Sequence, residues 1–306
     1  MYDRIRRLAA IATLLAGALI LPFAAHASEV PNIAAASDLQ FALPEIAAAF
    51  ERATGRAVRL SFGSSGNFRR QIADGAPFDL FLSADASYAD ALVRERRTLD
   101  AGVVYAIGRL ALFVANDSPI TPDPQLHDVA AALADGRLSK FAIANPEHAP
   151  YGRAAQQVLT RAGLWKAIEP HLVLGENVSQ AAQFAASGAA QGGIIAYSLV
   201  RAGAIASHGR HVLLPATGHD PLIQKMVLLP RADATARAFY AYLQQPAARA
   251  IFERYGFDLP PRPAVSAAEP PQGANSAPAG GSAAAKPQAW GDHTSAAPAS
   301  AHRAPG

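Results

Sequence analysis

Short apolar or β-branched runs alternate with helix-like stretches along most of this chain, and that alternation restricts it to the α/β class with mainly parallel sheet. The runs that read as strands are 32–35, 57–62, 80–82, 110–115, 141–144, 193–196, 212–214 and 226–229. Helical patterns lie between them at 43–52, 68–73, 153–162, 179–186 and 233–244, the last with Asp233 as its N-cap. In such sheets ligands gather at the carboxyl ends of strands, where each following helix offers unpaired N–H groups and the positive end of its dipole.

The two ends of the chain read differently from its middle. Arg4, Arg6 and Arg7 precede an apolar run over 8–25 that closes on Ala25-His26-Ala27, the order of a secretory signal peptide, with cleavage expected after Ala27. Pro22 interrupts the run, which is marginal for a bilayer span. Cysteine is absent, which excludes disulfides, thiolate metal sites and a lipidated cysteine tether. An exported, untethered protein is the expectation, and its compartment the periplasm. From 260 to 306 the chain turns to Ala, Pro, Gly and Ser, with Trp290 the one large apolar side chain. Such a tail buries too little to offset chain entropy and is expected to be disordered. The formal charge is +3, and Arg4, Arg6 and Arg7 against Asp3 supply +2 of it, leaving about +1 for the mature chain. With no basic stripe interleaved with aromatics, nucleic acid is not an expected partner.

Four strand-to-helix junctions stand out. In Ala34-Ala35-Ala36-Ser37-Asp38-Leu39, Ser37 reads as an N-cap whose hydroxyl can also donate to an anion over the first turn. Pro44 predicts a short turn before the main helix. In Ser61-Phe62-Gly63-Ser64-Ser65-Gly66-Asn67 the two glycines let backbone come close to a ligand, and hydroxyls and N–H groups converge as in an anion-binding nest. Two prolines stiffen 145–153, leaving the N–H groups of Tyr151 and Gly152 to face solvent or a ligand. The fourth junction, Gly175-Glu176-Asn177-Val178-Ser179, opens another helix, and the strand at 193–196 then delivers Tyr197 to its end.

Other chemistries fit poorly. Gly63-Ser64-Ser65-Gly66 is one residue short of the G-x-S-x-G elbow of a serine hydrolase, and His148 reads as a surface loop histidine rather than a base. His208, His211 and His219 lie close in sequence but match no metal-ligand spacing. Asp79 and Asp85 flank a strand, where capping and hinge hydrogen bonding account for them. No P-loop or dinucleotide fingerprint occurs, and no cofactor or metal cation is expected.

Taken together, Ala-Ala-Ala-Ser-Asp-Leu at 34–39, Ser-Phe-Gly-Ser-Ser-Gly at 61–66, Gly-Ala-Pro-Phe-Asp-Leu-Phe-Leu-Ser-Ala-Asp at 75–85, Asn-Pro-Glu-His-Ala-Pro-Tyr-Gly at 145–152, Glu-Asn-Val at 176–178 and Arg-Tyr-Gly-Phe at 254–257 resemble the molybdate-binding proteins of ATP-driven importers over nearly all of 30–258. The resemblance implies a two-lobed periplasmic solute-binding fold of type II, with two mixed sheets flanked by helices and a two-crossover hinge near 107–109 and 220–224. Lobe one would be 28–108 plus 223–259, and lobe two 109–222. It implies no enzyme activity, a monomer, and an ABC permease in the inner membrane as partner. The ligand would be molybdate or tungstate, with sulfate, phosphate or an organic acid as alternatives. Its contacts would be the hydroxyl and amide of Ser37 and of Ser65, the N–H groups of Tyr151 and Val178, and the hydroxyl of Tyr197, with Ser64 a second choice. These are all donors, so a phosphate O–H would find no acceptor and phosphate is expected to be rejected. Sulfate is expected to bind weakly, on grounds of size.

Overall fold

The apolar runs form strands of four to seven residues, each followed by a helix or by a passage to the other half of the molecule. The structure is a computed structural model that describes residues 30–261; the expected signal peptide and all but the first two residues of the expected tail lie outside them. In chain order the first elements are β1 (Asn32–Ala36), a 3-10 turn (Ser37–Leu39), α1 (Ala42–Thr54), β2 (Arg59–Gly63), α2 (Ser65–Ala73), β3 (Leu80–Ser83), α3 (Ala86–Arg94) and β4 (Val103–Gly108). Then come β5 (Leu110–Ala115), α4 (His127–Ala134), β6 (Phe141–Ala144), α5 (Pro150–Arg161), α6 (Trp165–Ile168), β7 (Leu172–Gly175), α7 (Val178–Ala186) and β8 (Gly192–Ala196). The last are α8 (Tyr197–Val200), α9 (Gly203–Ala206), β9 (Gly209–Leu213), β10 (Leu222–Leu228), α10 (Ala234–Tyr242) and α11 (Pro246–Arg254).

These strands make two five-stranded sheets, ordered β2-β1-β3-β10-β4 and β7-β6-β8-β5-β9. β1 lies parallel to β2 and β3, and β6 parallel to β7 and β8. β10 is antiparallel to β3 and β4, and β5 to β8 and β9. Half of the pairings are therefore antiparallel, which corrects the expectation of mainly parallel sheet. The cause is topological: β5 and β10 each enter their sheet straight from the other one, without the crossover helix that parallel pairing requires.

Each sheet has its own core. In the first, alternate residues of β1 face opposite sides, Ile33 and Ala35 packing with Phe50, Phe239 and Phe252, and Ala34 with Phe68 and Phe81. In the second, Phe113, Phe141, Ile143, Ile194 and Ile195 are fully buried. Strands covered on both faces read as continuous apolar runs, as these do. A single residue, Arg109, separates β4 from β5, and the chain returns between β9 and β10, where Leu222 pairs with Gly108. At this hinge Ile107 and Asp258 exchange backbone hydrogen bonds of 2.7 and 3.0 Å, and Arg109 reaches Asp258 at 3.2 Å.

Candidate functional site

The carboxyl ends of β1 and β2 face those of β6 and β7 across a small cavity lined by Ala36, Ser37, Asp38, Gly63, Ser64, Ser65, Ala84, Ala149, Pro150, Tyr151 and Val178. Three helices point their N-termini at it. Ser64 is the N-cap of α2, and its Oγ accepts from the Asn67 N–H at 3.4 Å. The Phe68 N–H goes to the Ser64 carbonyl and the Gly66 N–H to the His148 carbonyl, so Ser65 keeps the one uncommitted N–H of that first turn. In α5, Pro150 has no N–H, while Gly152 and Arg153 donate to the Ala149 carbonyl, which leaves Tyr151. In α7, Asn177 caps Ser179 and Gln180 at 3.1 Å each and Ala181 donates to its carbonyl, which leaves Val178. The leftover amide of each helix thus belongs to a residue nominated from sequence.

The hydroxyls are equally prepared. Ser65 Oγ, fully buried, accepts from the Ala84 N–H at 2.9 Å, and Ser37 Oγ accepts from the Ser179 N–H at 3.3 Å. With a lone pair already engaged, each O–H is free to donate into the cavity. Ser37 is the first residue of the 3-10 turn rather than its N-cap; Ala36 occupies the cap position, with no side-chain bond. Pro44 sits in the first turn of α1, beyond the short turn it predicted.

Tyr197 is not brought to the cavity. β8 ends at Ala196, and Tyr197 begins α8 with its ring 6.1 Å from the His211 ring and the Arg201 guanidinium 5.8 Å from its centre. Gly256 lies against the same ring, where a Cβ would come within 2.5 Å of it. Successive side chains on a helix are turned by about 100°, and here Ser198 turns inward, its Oγ donating to the Asp38 carbonyl at 2.7 Å.

Beneath the cavity lies a buried polar network. Asp38 is 1% exposed, and its Oδ2 accepts from Tyr151 Oη at 3.0 Å and from Gln224 Nε2 at 2.6 Å. Gln224 Nε2 also reaches Tyr151 Oη at 3.1 Å, and its Oε1 accepts from Tyr105 Oη at 2.7 Å. Gly108 is required here, because a Cβ on it would sit 2.3 Å from Tyr151 Oη. Burial pushes the Asp38 carboxyl up to about 6, against hydrogen bonds from Gln224 and Tyr151 that favour its charge. Burial, and then the Asp38 charge, hold the Tyr151 phenol well above its ordinary range. The expectation that only donors surround the ligand therefore does not stand, since Asp38, an acidic residue with a buried and unpartnered carboxyl oxygen, is one of the residues lining the cavity. No cationic side chain lines it.

Further contacts join the two halves around the cavity. The Gly66 N–H meets the His148 carbonyl at 3.0 Å, Asn67 bonds Glu176, and Ser179 bonds Gln40. Arg153 pairs with Asp85, the N-cap of α3, and with the Tyr88 hydroxyl. His148 Nε2 stands 3.4 Å from Glu176. Asp79 accepts from the Asn32 N–H at 2.7 Å. Among the described residues no three His, Cys, Asp or Glu side chains form a group able to hold a metal ion.

Residues 31–258 match the family model described as bacterial extracellular solute-binding protein. The chain is 39% identical to the molybdate-binding protein ModA of Rhodobacter capsulatus, over 80% of this chain and 94% of that one. It is 36% identical to ModA of Azotobacter vinelandii, over 79% and 95%. Among solved structures, the Azotobacter vinelandii periplasmic molybdate-binding protein superposes with a TM-score of 0.69 at 33% identity, covering 76% of this chain and all of that one.

Proposed function

This chain belongs to the bacterial extracellular solute-binding protein family, and from that premise we propose that it captures molybdate, and tungstate with it, in the cavity between its two sheets. It is a binding protein and not an enzyme, as its relatives are. The observation that carries the ligand reading is the leftover amide at the head of each of three helices, from Ser65, Tyr151 and Val178, aimed at one small cavity with the hydroxyls of Ser37 and Ser65. A dianion taken from water must regain its hydration as charge-assisted hydrogen bonds, and neutral donors on helix N-termini supply these without a buried countercharge. All such contacts are to oxygen; no protein atom meets the central metal. Tungstate has the same charge and shape, so fixed donors accept both.

The protein works in the periplasm as a monomer, exported by a signal peptide over 1–27, and delivers its anion to an ABC permease of the inner membrane. Lobe one comprises 28–108 and 223–259, and lobe two 109–222, so the ligand is gripped from both. Titration calorimetry with molybdate, tungstate, sulfate and phosphate tests the assignment. Molybdate and tungstate are expected to bind with similar strength and sulfate much more weakly; sulfate binding as tightly as molybdate would reassign the ligand.

A further inference from the structure

A carboxyl group is an unexpected wall for an anion cavity, and its two oxygens are treated unequally. Oδ2 of Asp38 takes both available donors, from Tyr151 and Gln224, whereas Oδ1 is buried with no hydrogen-bond partner. Among the described residues no cation compensates it. The groups that face Asp38 are the Tyr151 phenol from α5, the Gln224 amide from β10 and, behind that amide, the Tyr105 phenol from β4. Ser198 from α8 bonds only its carbonyl, and Ser37 beside it and Ser64, Ser65 and Val178 on the cavity wall are uncharged. Both phenols are driven well above their ordinary range and keep their protons at neutral pH.

We propose that Asp38 takes up a proton as the cleft closes on a dianionic oxyanion, so that capture is proton-coupled and Asp38 is a specificity-determining residue of the site. This rests on the oxyanion reading above. A carboxylate and a dianion sharing one small, cation-free cavity repel, and like charge favours the protonated acid. Oδ1 is the place for that proton, because Oδ2 then keeps two lone pairs for its two donors and no bond in the network is lost. The neutral acid adds an O–H to a wall that otherwise offers N–H and O–H groups, so every polar side chain facing the anion becomes compatible with an unprotonated ligand. A phosphate O–H finds an acceptor only in the ionised Asp38, which sets a carboxylate against the anion again, and so phosphate is disfavoured in either protonation state.

The sign follows from linkage. With Tyr151 bonded to it across the closed cleft, burial alone places the carboxyl near 6; in the open cleft water reaches it and it is ionised at pH 7, and in the closed one a nearby dianion moves it higher still. Affinity then falls as pH rises through the neutral range, approaching roughly tenfold per pH unit while the bound form stays protonated. Molybdate itself carries no proton at neutral pH and contributes nothing to this slope.

The test is calorimetry of molybdate binding to the full chain at pH 7 and pH 8, in several buffers of different ionisation enthalpy. Uptake approaching one proton per anion is expected at pH 7, with a Kd several-fold to tenfold weaker at pH 8. Asp38→Asn presents an amide carbonyl to Tyr151 and Gln224 and an N–H where the proton would sit; it should bind without proton uptake, with a Kd that no longer changes with pH. His148→Gln should keep the wild-type slope, which separates Asp38 from the histidine at the rim. Molybdate binding by the wild type without proton uptake overturns the proposal whether or not the variant folds, as does uptake that persists in Asp38→Asn. Failure to bind any of the four oxyanions at either pH overturns the ligand assignment instead.

Discussion

Replacing Ser65 by alanine separates the two tasks of one buried hydroxyl. Its Oγ accepts from the Ala84 N–H at 2.9 Å, and its O–H is proposed to donate to the anion. Without it, an N–H on a residue that is 1% exposed loses its acceptor, which costs about 1–3 kcal/mol of folding stability with or without ligand. The ligand loses a hydrogen bond to a charged partner, about 1.5–3 kcal/mol, which is roughly a 10- to 150-fold rise in Kd. Urea unfolding of the ligand-free protein reads the first quantity and calorimetry with molybdate the second. Ser64→Ala is the companion measurement: it removes a 3.4 Å cap to Asn67 and should cost about 0.5–2 kcal/mol of stability with a smaller change in affinity. A Ser65→Ala protein that binds molybdate within twofold of wild type would remove the hydroxyl from the contact set.

Gly66→Ala sets a Cβ 2.6 Å from the His148 carbonyl oxygen across the cleft; backbone cannot yield as a side chain does, so closure should fail and Kd rise roughly tenfold or more, while ligand-free stability stays within about 1 kcal/mol, alanine being the better helix former. Calorimetry and urea unfolding of the same sample check both halves of that statement. Arg153→Ala removes a partly exposed pair with Asp85 and should weaken binding by about 0.5–1 kcal/mol, seen as faster release in stopped-flow displacement. Asp38→Asn should also change the pH dependence of unfolding. Because the folded carboxyl lies near 6 against 3.8 in the unfolded chain, the native state holds more protons between those values, so this residue's contribution falls by about 3 kcal/mol as pH rises from 4 to 6 and beyond. The difference between wild-type and variant stability across that window isolates it from Asp123, Asp128 and Asp135, whose lowered values act in the opposite sense.

The donors at the helix starts were legible because each lies where a strand gives way to a helix, and small residues, serines and prolines mark those places in the chain. The residues alone marked the junctions and left Tyr151 and Gly152 both open, while the resemblance named the Tyr151 and Val178 amides; Pro150 and the Asn177 cap are what leave those two amides over in the structure. Tyr197 was implied by the resemblance; the strand ends at Ala196 as expected, but Tyr197 then opens α8 with its ring against His211 and Arg201. The Asp38 network was hidden for another reason. Its members lie 38, 105, 151 and 224 along the chain, on elements that only the two passages between sheets bring together. One signal was present: Gln224 interrupts the apolar alternation Leu222, Gln224, Met226 on a strand face that is buried throughout, and a buried amide needs partners. β4 escaped notice although it is apolar, and β7 because it is a half-exposed edge strand.

How strongly the ligand must bias the closed form can be set against what the site offers. The contacts at the rim are weak: Arg153 with Asp85, His148 with Glu176 and Asn67 with Glu176 all involve exposed or partly exposed side chains, and such pairs contribute roughly 0–1 kcal/mol each. Beneath them, the bonds of Tyr151 and Ser198 to Asp38 and of Ser179 to Ser37 also cross between the halves, but the rim pairs by themselves do not hold the cleft shut against the freedom of two hinged halves. To carry a population from 1:99 to 99:1 in favour of closure, a ligand needs about 5.5 kcal/mol of preference for the closed form. If the anion first rests on Ser37 and Ser65, that preference comes from the donors the second sheet adds on closing, the amides of Tyr151 and Val178. At about 1.5–3 kcal/mol for each charge-assisted bond, the two together reach the required range, while either alone falls short of it. Both amides must therefore be aimed by rigid helix starts. Pro150 at the head of α5 and the Asn177 cap on α7 provide that aim, and Tyr151 is fixed at its other end as well, by Asp38 and Gln224. The proton on Asp38 then belongs to the closing step, because only the closed cleft brings that carboxyl, the Tyr151 hydroxyl and the anion into one buried space.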